Sequence, residues 1–116
     1  MKLRICIVAG GLLLGAGVSP LHAQTFPSKS MRLVLPFPAG GPTDLLGRAV
    51  AQKMGEQMGQ TMVADNRPGA GGNLGIEIAA KSPPDGHTAV LVSSVISIAP
   101  SLYPKLNYEQ KDLAPI

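Results

Sequence analysis

Three apolar rhythms follow one another along this chain. The first is the run "ICIVAGGLLLGAGV", Ile5 to Val18, with Lys2 and Arg4 before it and "LHA" closing the segment at Ala23. A basic start, a short apolar middle and a small residue before the cut describe a secretory signal peptide, so residues 1–23 are expected to leave on export. The run falls short of the ~18 apolar residues that a membrane-spanning helix needs, so the mature chain is expected not to be membrane-inserted. "QTFPSKS", Gln24 to Ser30, then reads as a polar lead-in to a folded unit.

The second rhythm is a set of short apolar blocks without alternation. "MRLVLP" places Leu33, Val34 and Leu35 side by side, which predicts a strand buried on both faces, as in a parallel sheet, ended by Pro36. "TMVAD", Thr61 to Asp65, and "HTAVLV" are the second and third strand candidates.

Between these blocks runs a helical rhythm. Thr43 or Asp44 caps a helix with Pro42 just before it, and Leu46, Val50, Met54 and Met58, with Leu45 and Ala49 beside them, form its expected buried face. Gly59 ends it. Asn73 is placed to cap a second helix running to about Lys81, "SPPDG" is a turn, and a third short helix is expected over Val95 to Leu102 before an irregular tail. Strand and helix alternate, which predicts an α/β unit with a parallel sheet and right-handed crossovers.

Charge and composition narrow the function. The formal charge of +3 and the isoelectric point near 9.3 invite a nucleic-acid reading. Without Lys2 and Arg4 the ten basic residues become 8 against 7 acidic ones, a net +1, and no basic cluster remains to follow a phosphate backbone. Cys6, the single cysteine, lies in the export segment, so neither a thiolate nor a cysteine-based metal site is expected. With His22 also in that segment, His87 is the one mature histidine, expected to be exposed after its turn, and GxSxG is absent. Nothing here supplies the nucleophile, base and orienting acid of a hydrolase, so no enzyme, metal or cofactor is expected.

Candidate chemistry sits where strands feed helices, since open α/β sheets bind ligands beyond the carboxyl ends of their strands. Three loops qualify: "PFPAGGPTD", "NRPGAGGN" and "SSV". Gly40 and Gly41 admit close approach to a helix N-terminus, whose free N–H groups attract anions; the same residues also suit a plain tight turn. Gly69, Gly71 and Gly75 spell GxGxxxG, one residue longer than the dinucleotide fingerprint, so the Gly69–Gly75 loop leaves a phosphate- or nucleotide-binding domain as an alternative. Arg67 is either a carboxylate partner or a brace within its loop, and Asp44 reads as a cap rather than a base. The candidate ligand-binding residues are therefore Pro38, Ala39, Gly40, Gly41, Thr43 and Asp44 in the first loop, Gly71, Gly72 and Asn73 in the second, and Ser93 and Ser94 in the third.

Read together, "PFPAGGPTD", "NRPGAGGNLG" and "PPDGHT", in that order, resemble the tripartite tricarboxylate transporter substrate-binding proteins, the Bug or TctC family of extracytoplasmic solute receptors. Asp65 stands where that pattern has Glu, and His87 where it has Tyr. In "SSVISIAPSLYP", Val95, Ile96 and Ala99 replace smaller or polar residues, so the third loop is expected to bond ligand through Ser93 and Ser94 only. The resemblance implies a periplasmic, two-lobed, flytrap-like fold that clamps a small carboxylated solute and passes it to a two-part membrane carrier. It also implies that Ala39, Gly40, Gly41 and Thr43 cradle the carboxylate. On this reading residues 24–116 are part of the first lobe, the second lobe is absent, and the unit is either a receptor fragment or a stretch too small to function alone.

Overall fold

The computed structural model describes residues 25–116; the expected signal peptide, with Cys6 and His22, lies outside the described residues. Strands β1 (Met31–Leu35), β2 (Met62–Asn66) and β3 (Thr88–Val90) form one parallel sheet in the order β2-β1-β3. Helices α1 (Pro42–Met58), α2 (Asn73–Ala80) and α3 (Val95–Leu102) connect and follow them. The expected α/β unit with a parallel sheet is thus present. β1 is central, and Leu33, Val34 and Leu35 are all buried, as a strand covered on both faces requires.

The strand order fixes where the helices go. The β1-to-β2 step moves one way from the centre and the β2-to-β3 step returns past it. Right-handed crossovers therefore put α1 and α2 on opposite faces. Leu33 and Leu35 cluster with Ala51 of α1, and Val50, Met62, Ala64, Ala89 and Leu91 pack against them. α2, carrying the fully buried Ile76, packs on β1 and β3 and against α3.

The buried face of α1 is not the one its large residues predict. Leu45 and Leu46 are 66% and 59% exposed and Met58 is exposed too, whereas Asp44, Gly47 and Ala51 are buried. The cause is the closeness of helix and sheet. A Cβ on Gly47 would lie 2.9 Å from Leu35 Cδ1, so the helix meets the sheet through its smallest residues and its large ones turn outward. Gly59 ends the helix in the left-handed conformation at φ 68°, as expected.

Both chain segments flanking the sheet are docked. The lead-in buries Pro27, and Lys29 Nζ reaches Asp85 Oδ2 at 2.8 Å. His87, expected to be exposed, has a side chain only 10% exposed: it packs edge-on against Phe26 at 5.0 Å, with Nδ1 2.9 Å from the Asp85 carbonyl. The irregular tail buries Tyr108, whose hydroxyl donates to Asn73 Oδ1 at 2.7 Å. It also sends Gln110 Nε2 to the Ile96 carbonyl at 2.8 Å.

Candidate functional site

The crevice outside the carboxyl ends of β1 and β3 is where the chain turns to opposite faces of the sheet, the position at which open α/β folds take ligands. The loop after β1 lies on one side of it and the loop after β3 on the other. The loop after β2 adjoins the first. Two depressions, about 450 and 320 Å³, lie at the amino ends of the strands, around Gly59–Met62 and around Thr25–Lys29 with His87.

The first loop leaves its donors unused. Pro36, Pro38 and Pro42 carry no N–H, and Gly40, left-handed at φ 84°, turns the chain so that its own N–H donates to Asp44 Oδ2 at 2.9 Å. Among the described residues no hydrogen bond uses the N–H groups of Ala39, Gly41, Thr43 or Asp44. A Cβ on Gly40 would meet nothing within 4 Å, and one on Gly41 only the Pro38 carbonyl at 3.8 Å. Unpaired N–H groups at the positive end of a long helix, with open space before them, suit an anion.

Asp44 lies beneath this loop and braces it. The helix cap is Gly41, and Asp44 sits in the first turn, 3% exposed, with both oxygens engaged. Oδ2 accepts from Gly40 N–H and from Arg48 Nε at 3.0 Å, and Oδ1 accepts from Asn66 Nδ2 at 2.9 Å. Asn66 Nδ2 also donates to the Phe37 carbonyl at 3.0 Å, and Arg48 Nη2 donates to Asn66 Oδ1 at 2.9 Å. These bonds, the Arg48 contact first and then the Gly40 N–H and Asn66, hold the Asp44 carboxyl down from 3.8 to about 2. Because the folded state favours the ionised form, the stabilisation is complete above about pH 4 and is lost as pH falls through about 2. Urea midpoints should fall over that window and fall less in Asp44→Asn. Asp85, also held down to about 2 with Lys29 as the first cause, titrates in both proteins and so does not obscure the difference.

The second loop turns the donors nearest its helix back on itself. Gly69, Ala70, Gly71 and Gly72 all have positive φ, and the Gly72 and Leu74 N–H groups converge on the Gly69 carbonyl at 2.9 and 3.4 Å. Asn73 was expected as a cap, yet Gly72 holds that position. The Asn73 N–H and Nδ2 both donate to the Ala70 carbonyl, Nδ2 at 2.9 Å, and its Oδ1 is taken by Tyr108. A phosphate loop needs such groups turned outward. The glycines serve contact instead: a Cβ on Gly72 would lie 3.6 Å from Pro36 Cβ, and one on Gly75 2.8 Å from it. The second loop therefore packs directly on the start of the first.

The remaining candidates divide. Ser93 and Ser94 are exposed; Ser93 Oγ accepts the Val95 N–H at 3.4 Å, and no described residue bonds the Ser94 hydroxyl. Arg67 is a brace, with Nε 3.1 Å from both Asp65 oxygens, and Arg32 pairs with the same carboxylate. Sequence reasoning missed Arg48 and Asn66. Arg48 had a signal, its i+4 spacing from Asp44 on a helix. Asn66 had none, since only the register that sets it opposite Leu35 brings it to the loop.

The sheet order, the open helix N-terminus and the crevice beside it define an α/β lobe of the architecture that takes ligands at its strand ends. Residues 46–116 match the family model described as tripartite tricarboxylate transporter family receptor, and the chain belongs to this family. It is 38% identical to Protein BugT of Bordetella pertussis over 117 residues, which takes in 97% of this chain and 36% of that one. Among solved structures, the periplasmic binding protein BugD superposes with a TM-score of 0.69 at 42% identity, over 72% of this chain and 28% of that one. An R. palustris protein solved with adipate gives 0.68 at 37%, over 74% and 29%. The chain thus spans about a third of the length of the curated relatives it matches. Among the described residues no helix is long and apolar enough to cross a membrane, and no group of acidic residues, histidine and cysteine is placed to hold a metal ion.

Proposed function

We propose that residues 24–116 form the first-lobe portion of a periplasmic solute receptor that holds a small carboxylate at the N-terminus of α1. Residues 1–23 act as its export signal, and a two-part membrane carrier receives the solute. The observation that carries this reading is the set of unused N–H groups on Ala39, Gly41, Thr43 and Asp44 around an uncovered Gly40–Gly41 turn. Two carboxylate oxygens can accept from several such donors at once, and the helix end supplies positive potential without a charged side chain. Ser94 across the crevice offers a further hydroxyl. Adipate in the R. palustris relative is a ligand of this chemistry. The chain is a binding protein and not an enzyme.

A ligand that binds only the folded state raises stability by RT ln(1 + [L]/Kd), about 2.7 kcal/mol at a hundredfold excess over Kd. Thermal melts of the chain with mono-, di- and tricarboxylates, without metal, should therefore rise with at least one acid and stay unmoved with ATP or NAD. A rise with ATP or NAD and none with any acid would sink the carboxylate reading and restore the Gly69–Gly75 loop as a phosphate site.

A further inference from the structure

We propose that Asp44, Arg48 and Asn66 are the positioning residues of this cradle, a closed triangle of hydrogen bonds that sets the loop's conformation before any ligand arrives. The inference rests on the carboxylate reading for its purpose, but its geometry stands independently. Each corner bonds the other two: Asp44 to Arg48 at 3.0 Å, Asp44 to Asn66 at 2.9 Å, and Arg48 to Asn66 at 2.9 Å. Two arms then reach the loop, from Asp44 to the Gly40 N–H at 2.9 Å and from Asn66 to the Phe37 carbonyl at 3.0 Å. Those arms grip the loop on both sides of Pro38 and Ala39. The N–H groups left over face no partner among the described residues.

Three features separate this arrangement from an ordinary surface network. First, Gly40 is left-handed and a Cβ there would meet nothing within 4 Å, so on that side no side chain braces the turn, while its N–H is bonded to Asp44. Second, a carboxylate beneath an anion cradle repels the anion, and Arg48, half-exposed beside it, offsets that charge. The triangle thus orients the donors without leaving net negative charge below them. Third, Asn66 ends β2, in register with Leu35 at the end of β1, so the loop is fastened to the hydrogen-bonded sheet. A binding loop ordered in advance does not have to be ordered by its ligand, and affinity gains by that difference.

Amide hydrogen exchange and calorimetry on the chain test this, with Asn66→Ala, Arg48→Ala and Arg48→Lys compared and adipate, succinate and citrate as probes. In the wild type the Gly40 amide should exchange slowly although it lies on the surface. Asn66→Ala and Arg48→Ala should speed it about tenfold or more and weaken all three acids by a similar factor, since the shared cradle and not the ligand's far end is loosened. Arg48→Lys, which keeps the cation beside Asp44, should recover part of both. Core amides of β1 should stay protected, and Kd is read well below the melt, so a merely structural role would lower Tm and leave Kd and Gly40 unchanged. That outcome overturns the proposal, as does a Gly40 amide that already exchanges freely in the wild type. Should the wild type bind none of the acids, the carboxylate reading fails, and Gly40 exchange still decides whether the triangle sets the loop.

Discussion

Leu35→Ala should remove about 2–5 kcal/mol of stability. Leu35 is fully buried, centres the cluster with Leu33 and Ala51, and projects toward the bare backbone of Gly47. Gly47 has no side chain to move into the space, so the cavity cannot be refilled from the helix. A small domain holds only ~0.05–0.15 kcal/mol per residue, so the loss is a large share of the total. Urea midpoints at constant m-value measure it. Leu46→Ala, by contrast, should stay within about 0.5 kcal/mol, because that residue is 59% exposed. Periodicity alone buries both leucines. Near-equal losses would mean that α1 sits on the sheet by its large residues after all.

Gly75→Ala should cost about 1–3 kcal/mol and disturb the proposed carboxylate cradle through Pro36. The new Cβ would stand 2.8 Å from Pro36 Cβ and 2.9 Å from both Pro36 Cα and the Arg67 carbonyl oxygen. Two of those three are backbone atoms, which cannot swing aside as the tip of a side chain can. Either α2 lifts from the sheet or Pro36 is driven outward, and Pro36 opens the loop that carries the free donors. Amide shifts from Ala39 to Thr43 should therefore move together with the loss in stability. Gly40→Ala makes the useful contrast: nothing obstructs its Cβ, and the penalty is the positive φ alone, about 1–2 kcal/mol. If Gly75→Ala leaves both melt and shifts unchanged, the second loop does not buttress the first.

Both predictions turn on glycines whose purpose the sequence leaves open. "AGG" and "GAGG" look alike on paper, each a glycine pair before a helix. The first exposes its donors, and the second folds those of Gly72 and Leu74 onto its own Gly69 carbonyl while Gly72 and Gly75 admit Pro36. Only the crossing of the second loop over the end of β1, required to bring the chain from β2 to the far face, separates support from site.

The order of elements, the parallel sheet, the third helix over Val95–Leu102 and the family were legible from local signals. A triple apolar run, a proline stop, a left-handed glycine and a "PPDG" turn act within a few residues of themselves. Tertiary structure alone decided which face of α1 is buried, that Asp44 and Asn73 support loops from beneath, that the lead-in docks over His87, and that Arg48 and Asn66 belong to the candidate site. Each of these depends on the shape or position of a partner distant in the chain. Leu35 selects the face of α1 by fitting Gly47, and strand register carries Asn66 to Asp44 across a helix that separates them in sequence. Periodicity states which residues are apolar, and packing distance decides which of them the sheet has room for.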